Sequence, residues 1–260
     1  MIRAAVKIAY LGEHFAGSQL QPGFRTVARD VLSDLRTIMN LSEEEIDLKL
    51  ASRTDRGVNA LGNVAVFNSI IEDPDVLLKA LNAVSKDIFY RGAASVDREF
   101  NPRFADTRIY RYAIPSEDMD IPSMKECAEL FVGEHDFTRF CKPDGKSATL
   151  VMDSIDVSVE EGIIFIDFTA RYYLWNIIRR IAAAINAVGR GNSSVSDVKE
   201  ALEWKETNFG IAKPDALTLV DVRYNDVNFI PPSKDVLSGR IGDGMFREEL
   251  KMMFFASLSK

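Results

Sequence analysis

With 260 residues, a mass of 29.1 kDa and a composition of 47% hydrophobic, 27% charged and 10% aromatic residues, the chain can bury one large core or two small ones, which excludes intrinsic disorder. Only two cysteines occur, Cys127 and Cys141, which excludes a disulfide-built scaffold or a Cys-rich zinc module and fits a reducing compartment. The net charge of −7 and pI near 5.1 argue, over the whole chain, against a nucleic-acid binder.

No apolar run approaches the roughly 18 residues of a membrane span. The opening MIRAAVKIAYLGEHF turns polar too soon for a signal peptide, so a soluble, cytoplasmic protein is expected. Residues 3–10 alternate apolar and polar as a strand does. After a Gly- and Pro-bearing loop, Thr26 is placed to cap a helix to about Asn40, with Val27, Val31, Leu35 and Ile38 on one stripe. The acidic run Glu43–Asp47 reads as a solvated turn. A short strand near Asp47–Ala51, a polar loop, a strand Asn63–Asn68 and a helix Pro74–Asn82 come next. Strands Phe89–Val96 and Arg108–Ile114 follow, with Tyr110 and Tyr112 on one face of the second.

Pro115–Pro122 is the candidate linker. Beyond it, Ser123 can cap a helix to Val132 that Gly133 stops, and the stripe Met124, Cys127, Ala128, Phe131 marks Cys127 as a buried structural thiol. His135-Asp136 reads as a loop entry, with Phe137 and Phe140 packing behind it. Strands Val151–Val159 and Ile163–Ala170 form a hairpin around Gly162. A helix from about Leu174 to Val188 presents Ile177, Ile178, Ile181 and Ile185, and Gly189 ends it. Ser196 precedes a helix Asp197–Trp204, Leu217–Tyr224 is a last strand, and LKMMFFASL reads as a packed C-terminal helix. The class is α+β, with halves 1–115 and 123–260 and an extension after residue 224.

Charge is unevenly spread. No acid falls between Phe168 and Ser196, where Arg171, Arg179, Arg180 and Arg190 lie, and seven arginines against two lysines fall between Arg53 and Arg111. Arg offers a flat fork suited to phosphate and carboxylate, so an Arg-lined groove on an acidic protein and plain surface salt bridging both fit. The polar loop from Ala51 to Val64 sets Asp55 between Arg53 and Arg56. A carboxylate beside positive charge stays ionised, which suits a nucleophile or a general base as well as a turn residue in a loop ion pair.

That loop resembles the signature of the TruA-type tRNA pseudouridine synthases. Five more blocks agree in order: Tyr10, Gly12, Phe15, Gly17, Gln19 and Gln21; Arg108, Tyr110 and Tyr112; Gly133, His135, Asp136, Phe137 and Phe140; Tyr173, Leu174 and Arg179; and Leu217, Leu219, Val222 and Tyr224. The blocks span residues 8–224. The resemblance implies two ferredoxin-like (RRM-like) halves forming one extended, mostly antiparallel sheet with helices on one face and a central active-site cleft. It implies isomerisation of uridine to pseudouridine near positions 38–40 of the tRNA anticodon stem-loop, with no cofactor and no metal. The implied partners are tRNA and a second copy in a homodimer, and no membrane.

By position Asp55 matches the catalytic aspartate, Tyr110 the active-site tyrosine, and Arg179 the arginine paired with that aspartate. Arg53, Arg56, Gln19, Gln21, Arg108 and Arg180 fall among implied RNA contacts. Arg56, Asn59 and Asn63 stand where a small residue, a His and a Gln are common, and Trp175-Asn176 replaces the usual pair ahead of Arg179; these departures weaken any role for those positions. A lone carboxylate can attack the sugar, remove a sugar proton to give a glycal, or add to the base. Two other readings stay open: a catalytically idle RNA-binding module on the same fold, and a small-molecule hydrolase pairing Asp55 with Asp106 or Asp136.

Overall fold

A computed structural model describes all residues except 143, 144, 146, 204, 205, 259 and 260. The first half runs β1 (Ile2–Tyr10), α1 (Val27–Met39), α2 (Glu43–Ile46), β2 (Lys49–Leu50), β3 (Asn59–Ser69), α3 (Pro74–Val84) and β4 (Phe89–Val96). The second runs β5 (Thr107–Pro115), α4 (Ile121–Glu129), β6 (Gly133–Asp136), β7 (Thr149–Met152), β8 (Ser154–Glu160), β9 (Ile163–Ala170), α5 (Ile177–Gly189), α6 (Val195–Leu202) and β10 (Leu217–Arg223), and α7 (Asp235–Leu258) follows.

The main sheet has the order β4-β1-β3-β10-β5-β9-β8, with β2 also pairing β3. Each half thus follows one plan. Its first strand sits between its fourth and third, and its second strand flanks the third: β4-β1-β3-β2, then β10-β5-β9-β8. The ferredoxin-like expectation is met in both. The split at residue 115 places β5 in the first half by sequence, whereas in the sheet β5 lies between β10 and β9.

The halves join at the parallel pair of β3 and β10, through Asn59↔Thr218 and Ala60↔Leu219 alone. The other end of β3 pairs β2, through Val66↔Lys49 and Ala65↔Leu50. Strand β3 is therefore shared lengthwise between β2 and β10, and the chain from Leu50 to Asn59 emerges where the two halves meet. That seam is where Asp55 stands.

The helices form for local reasons. Thr26 accepts from the Arg29 amide at the start of α1, and Asn40, at φ 53°, closes it. Asp73 accepts from the amides of Asp75 and Val76 ahead of Pro74 in α3. The stripe Val27, Val31, Leu35 is fully buried, as are Leu78, Leu81 and Ile181, so these amphipathic faces supply the core under the sheet.

Several boundaries differ from expectation. The Glu43–Asp47 run is a single helical turn, because Ser42 and Glu45 form a reciprocal capping box. Asp120, not Ser123, caps α4, so the helix starts and ends earlier and the linker shrinks to residues 116–120, while Gly133 opens β6. The expected strand Val151–Val159 breaks at Asp153: β7 pairs β6 in a separate two-stranded sheet, and β8 pairs β9. Helix α5 begins at Ile177 because Asn176 takes a left-handed φ of 66°, a conformation that ends or precedes a helix. Ser194, not Ser196, caps α6 through Asp197; Trp204, its expected end, lies outside the described residues. The C-terminal helix forms but is not packed, since α7 has no buried residue.

Candidate active site

Polar side chains inside the fold hold the Asp55 loop. Asn63 interrupts the apolar face of β3 and is fully buried. Its Nδ2 donates to the Ser52 carbonyl at 3.0 Å and to the Tyr10 hydroxyl at 3.2 Å, and its Oδ1 accepts from the Ser52 amide at 3.2 Å. Tyr10 shares a 2.9 Å hydrogen bond with the Thr54 hydroxyl. The Thr54 amide donates to the Ser18 hydroxyl at 2.8 Å, and the Ser18 amide donates back to the Thr54 carbonyl at 3.0 Å. Residues 52 and 54 are thus tied into a buried network, whose satisfied members rigidify the backbone on either side of Arg53. On the far side of the loop, Asn59 accepts from the Gly12 amide and donates to the Asp215 carbonyl, both at 2.8 Å. Gly12 is required there: a Cβ on it would lie 2.4 Å from the Gly57 carbonyl carbon. With both ends fixed, Asp55 projects at the tip with its side chain 47% exposed.

The facing wall comes from the second half. On β5, Arg108, Tyr110, Tyr112 and Ile114 share the buried face. Tyr110 meets the Tyr173 ring edge-on, with centroids 5.1 Å apart. Burial pushes the Tyr110 hydroxyl well above its ordinary range, so it remains a neutral donor and acceptor at physiological pH. Arg179, in the first turn of α5, donates from Nε to the Ala212 carbonyl at 2.7 Å, and the Ala212 amide donates to the Arg179 carbonyl at 3.0 Å. This clamp leaves an outer guanidinium nitrogen 3.8 Å from an Asp55 carboxylate oxygen. Asp55, Tyr110 and Arg179 line one cavity of about 640 Å³. Arg53 lines it too, and Tyr172 and Trp175 stand half-exposed at its rim.

The family model described as tRNA pseudouridine synthase matches residues 127–225. The tRNA pseudouridine synthase A of Pyrococcus abyssi is 39% identical over 233 residues, covering 88% of this chain and 87% of that one. The chain belongs to this family. The proteins of the same name from Pyrococcus horikoshii and Archaeoglobus fulgidus are 37% and 35% identical, each over 88% of this chain and 87% and 86% of their own. A Cbf5-Nop10-Gar1 complex overlays with a TM-score of 0.35 at 15% identity, covering 70% of this chain and 45% of that one, too loose to bear on fold or function.

Members of a tRNA pseudouridine synthase family are isomerases, and the remaining expected residues can be placed in that light. Arg56 is exposed outside the cavity lining. Gln21 folds back to donate to the Ala16 carbonyl at 2.9 Å, and Gln19 lines a separate concavity of about 740 Å³ with Arg98 and Arg103. Arg180 is half-buried, with its Nε unpartnered. Arg108, expected at the RNA surface, is buried and spent: it donates to the Ser52 hydroxyl at 3.0 Å and to the carbonyls of Ala51, Arg103 and Arg171. It fastens the Asp55 loop to β5, and its fork has no side left for a phosphate. The arginine-rich stretch therefore divides between the two readings of its charge, since Arg111 likewise makes a bidentate 2.7 Å pair with Asp167.

Sequence reasoning missed the loop's support. Asn63 and Asn59 depart from the motif in sequence, yet both hold the loop. An amide in the middle of the apolar run of β3 was the available signal, because a buried amide needs partners. Among the described residues no group of three or more His, Cys, Asp or Glu could hold a metal ion. His135 sits 2.9 Å from the Val132 carbonyl, and Asp136 accepts from Thr138.

Proposed function

We propose that this chain isomerises uridine to pseudouridine in the anticodon stem-loop of tRNA, near positions 38–40, with Asp55 as nucleophile or base and without a cofactor. The observation that carries the reading is the convergence of Asp55, Tyr110 and Arg179, from three separate parts of the chain, on one cavity. The reaction breaks the C1′–N1 bond and joins C1′ to C5; N1 gains a proton and C5 loses one, so no atom or electron is supplied from outside. Asp55 is reachable from solvent and faces a fixed guanidinium. It serves attack on the sugar, removal of a sugar proton or addition to the base equally well. Tyr110, held neutral by burial, is suited to stack on the uracil and to carry the proton that leaves C5. A uridine in a stem-loop must leave its stack to enter such a cavity, at a cost of a few kcal/mol, and Arg53, Tyr172 and Trp175 at the cavity offer stacking and charge to offset it.

The hydrolase reading loses its second carboxylate. Asp106 accepts from the Asn225 amide at 2.7 Å, Asp136 is turned to Thr138, and Asp55 is the one acid among the described residues lining the cavity. The homodimer that the resemblance implies would let two Arg-bearing surfaces share one polyanion despite the net charge of −7.

The test is incubation with unmodified tRNA transcripts followed by mapping of pseudouridine along them. Product at uridines of the anticodon stem-loop supports the proposal. Product elsewhere overturns the target, and tRNA binding without product supports the idle RNA-binding module. Binding itself should weaken steeply as salt rises.

A further inference from the structure

The aromatic side chains that line the Asp55 cavity are of two kinds. Tyr110 and Tyr173 are turned inward against each other, and Tyr173 also donates to the Arg108 carbonyl at 3.2 Å. Tyr172 and Trp175 face outward at the rim, 48% and 49% exposed. Trp175 is held there by its backbone and by its ring. The Ile177 amide donates to the Leu174 carbonyl at 3.2 Å, so Trp175 and Asn176 form the corner of a turn ahead of α5. Asn176, at a φ of 66°, takes the left-handed conformation that the corner requires. The turn sends Ile177 and Ile178 into the core and leaves the indole outside. Lys142 fastens Trp175 twice. Its amide donates to the Trp175 carbonyl at 2.8 Å, and its ammonium lies 3.9 Å from the indole centroid, a close cation–π contact.

Fixing a large ring in water brings the fold little stability. The ring loses rotamer freedom without the burial that normally offsets that loss. The return lies in binding, because a surface already ordered costs less to dock against. One face of the indole lies under Lys142, and the exposed half belongs to the other face and the ring edge. A bare aromatic face beside cations suits a nucleobase on its phosphate chain, since every base can stack on such a ring. The surrounding charge agrees. Arg53 lines the same cavity, and Arg171 is exposed next to Tyr172. Asp55, which faces Arg179, is the one acid among the described residues lining the cavity.

Position selects the base. Under the function proposed above, the target uridine enters the cavity to reach Asp55 and Tyr110. Trp175 stands on the rim of that cavity, where the strand carrying the uridine has to cross. The ring therefore meets the next nucleotide rather than the reacting one.

We propose that Trp175 is the stacking platform for the base adjoining the target uridine, and that it holds the RNA strand in register while the uridine is turned into the cavity. Trp175 touches the RNA but none of the reacting atoms. It belongs to the pair that departs from the usual family pattern ahead of Arg179, so the platform is read from this chain's own geometry. The inference rests on the tRNA reading and adds to it a named contact with a second base.

The test couples the ring to single bases. The full chain is titrated with tRNA ligated from synthetic pieces, either intact or with one abasic nucleotide beside the target uridine, and circular dichroism controls for folding. Trp175→Ala should weaken binding and raise KM about 10- to 100-fold, with kcat falling only a few-fold, and Trp175→Phe should restore most of the loss. An abasic site on one side of the uridine should weaken binding to the wild type by a similar factor, yet barely change binding to Trp175→Ala, because the contact can be lost only once. The chain has two tryptophans. The intact tRNA should quench their fluorescence, and the share of the quench that Trp175→Phe removes should vanish with the same abasic site. Fully additive losses at both neighbouring nucleotides overturn the proposal, as does coupling to a more distant base or a Trp175→Ala protein that binds like the wild type. If product still forms in the anticodon stem-loop, those results leave the proposed function standing. A wild type that neither binds nor modifies the tRNA overturns both.

Discussion

In the first half of the sheet, β2 and β3 are joined by residues 51–58, which carry Asp55; in the second, the corresponding strands β8 and β9 turn tightly through Glu161 and Gly162. The next connection reverses the contrast. From β3 to α3 the chain passes through residues 70–73, ending in the Asp73 cap, whereas from β9 to α5 it carries Tyr172, Tyr173, Trp175 and the left-handed Asn176 before Arg179. One strand plan, used twice, places its elaborated loops at different joints. Because β3 and β10 pair side by side, those two loops face each other across the seam. A shared scaffold fixes where loops emerge, and loop residues decide which of those points does chemistry.

The contrast between halves can be broken by substitution. Asp55→Ala should lower pseudouridine formation by at least about 1,000-fold while tRNA affinity, read by filter binding, changes only a few-fold. Retained turnover would remove the first half's loop from the chemistry. Arg179→Ala should cut turnover by about 100-fold with affinity nearly kept; equal losses in both would make Arg179 a phosphate contact instead.

Asn63→Ala leaves buried partners of the loop unpaired and should cost about 1–3 kcal/mol of stability in chemical denaturation. Turnover should fall with it, since the network aims Asp55; unchanged turnover would show that the loop holds its shape without Asn63. In the second half, burial pushes the Cys127 thiol up to about 12 from its ordinary 9.0. A raised acid pKa contributes stability that is complete below pH 9 and is lost as pH climbs toward 12. Denaturation midpoints should therefore drop across that alkaline window, and Cys127→Ala should flatten part of the drop. The smallest effect belongs to Gly162→Ala at the tight turn, where φ is +80°. It should cost about 1–2 kcal/mol of strain and leave kcat and KM alone. A kinetic defect there would mean that the second half's hairpin also serves the site.

The positions of the elements were largely legible in the chain, because alternation and helical stripes report local burial. Strand β4 lies where its pattern put it, and α1 starts at its Thr26 cap. The sequence offers Ser123 and Ser196 as caps beside Asp120 and Ser194, and only the packed chain chooses among them. The motif residues Asp55, Tyr110 and Arg179 stood out in sequence, while their supports did not. Asn63 looked like a weakened motif position, and Arg108 looked like a free cation until its four acceptors were in place.

What the amino-acid order determined by itself is local and chemical: which segments are strands or helices, where one carboxylate sits among arginines, and which side chains are apolar. The side-by-side pairing of β3 with β10 was decided only in three dimensions, and so was the meeting of Asp55 with an arginine more than a hundred residues away. The inward turn of Arg108 and the bare surface of α7 belong with them. Local pattern records whether a residue prefers water, but not which distant group replaces that water. That choice belongs to the packing of the whole chain.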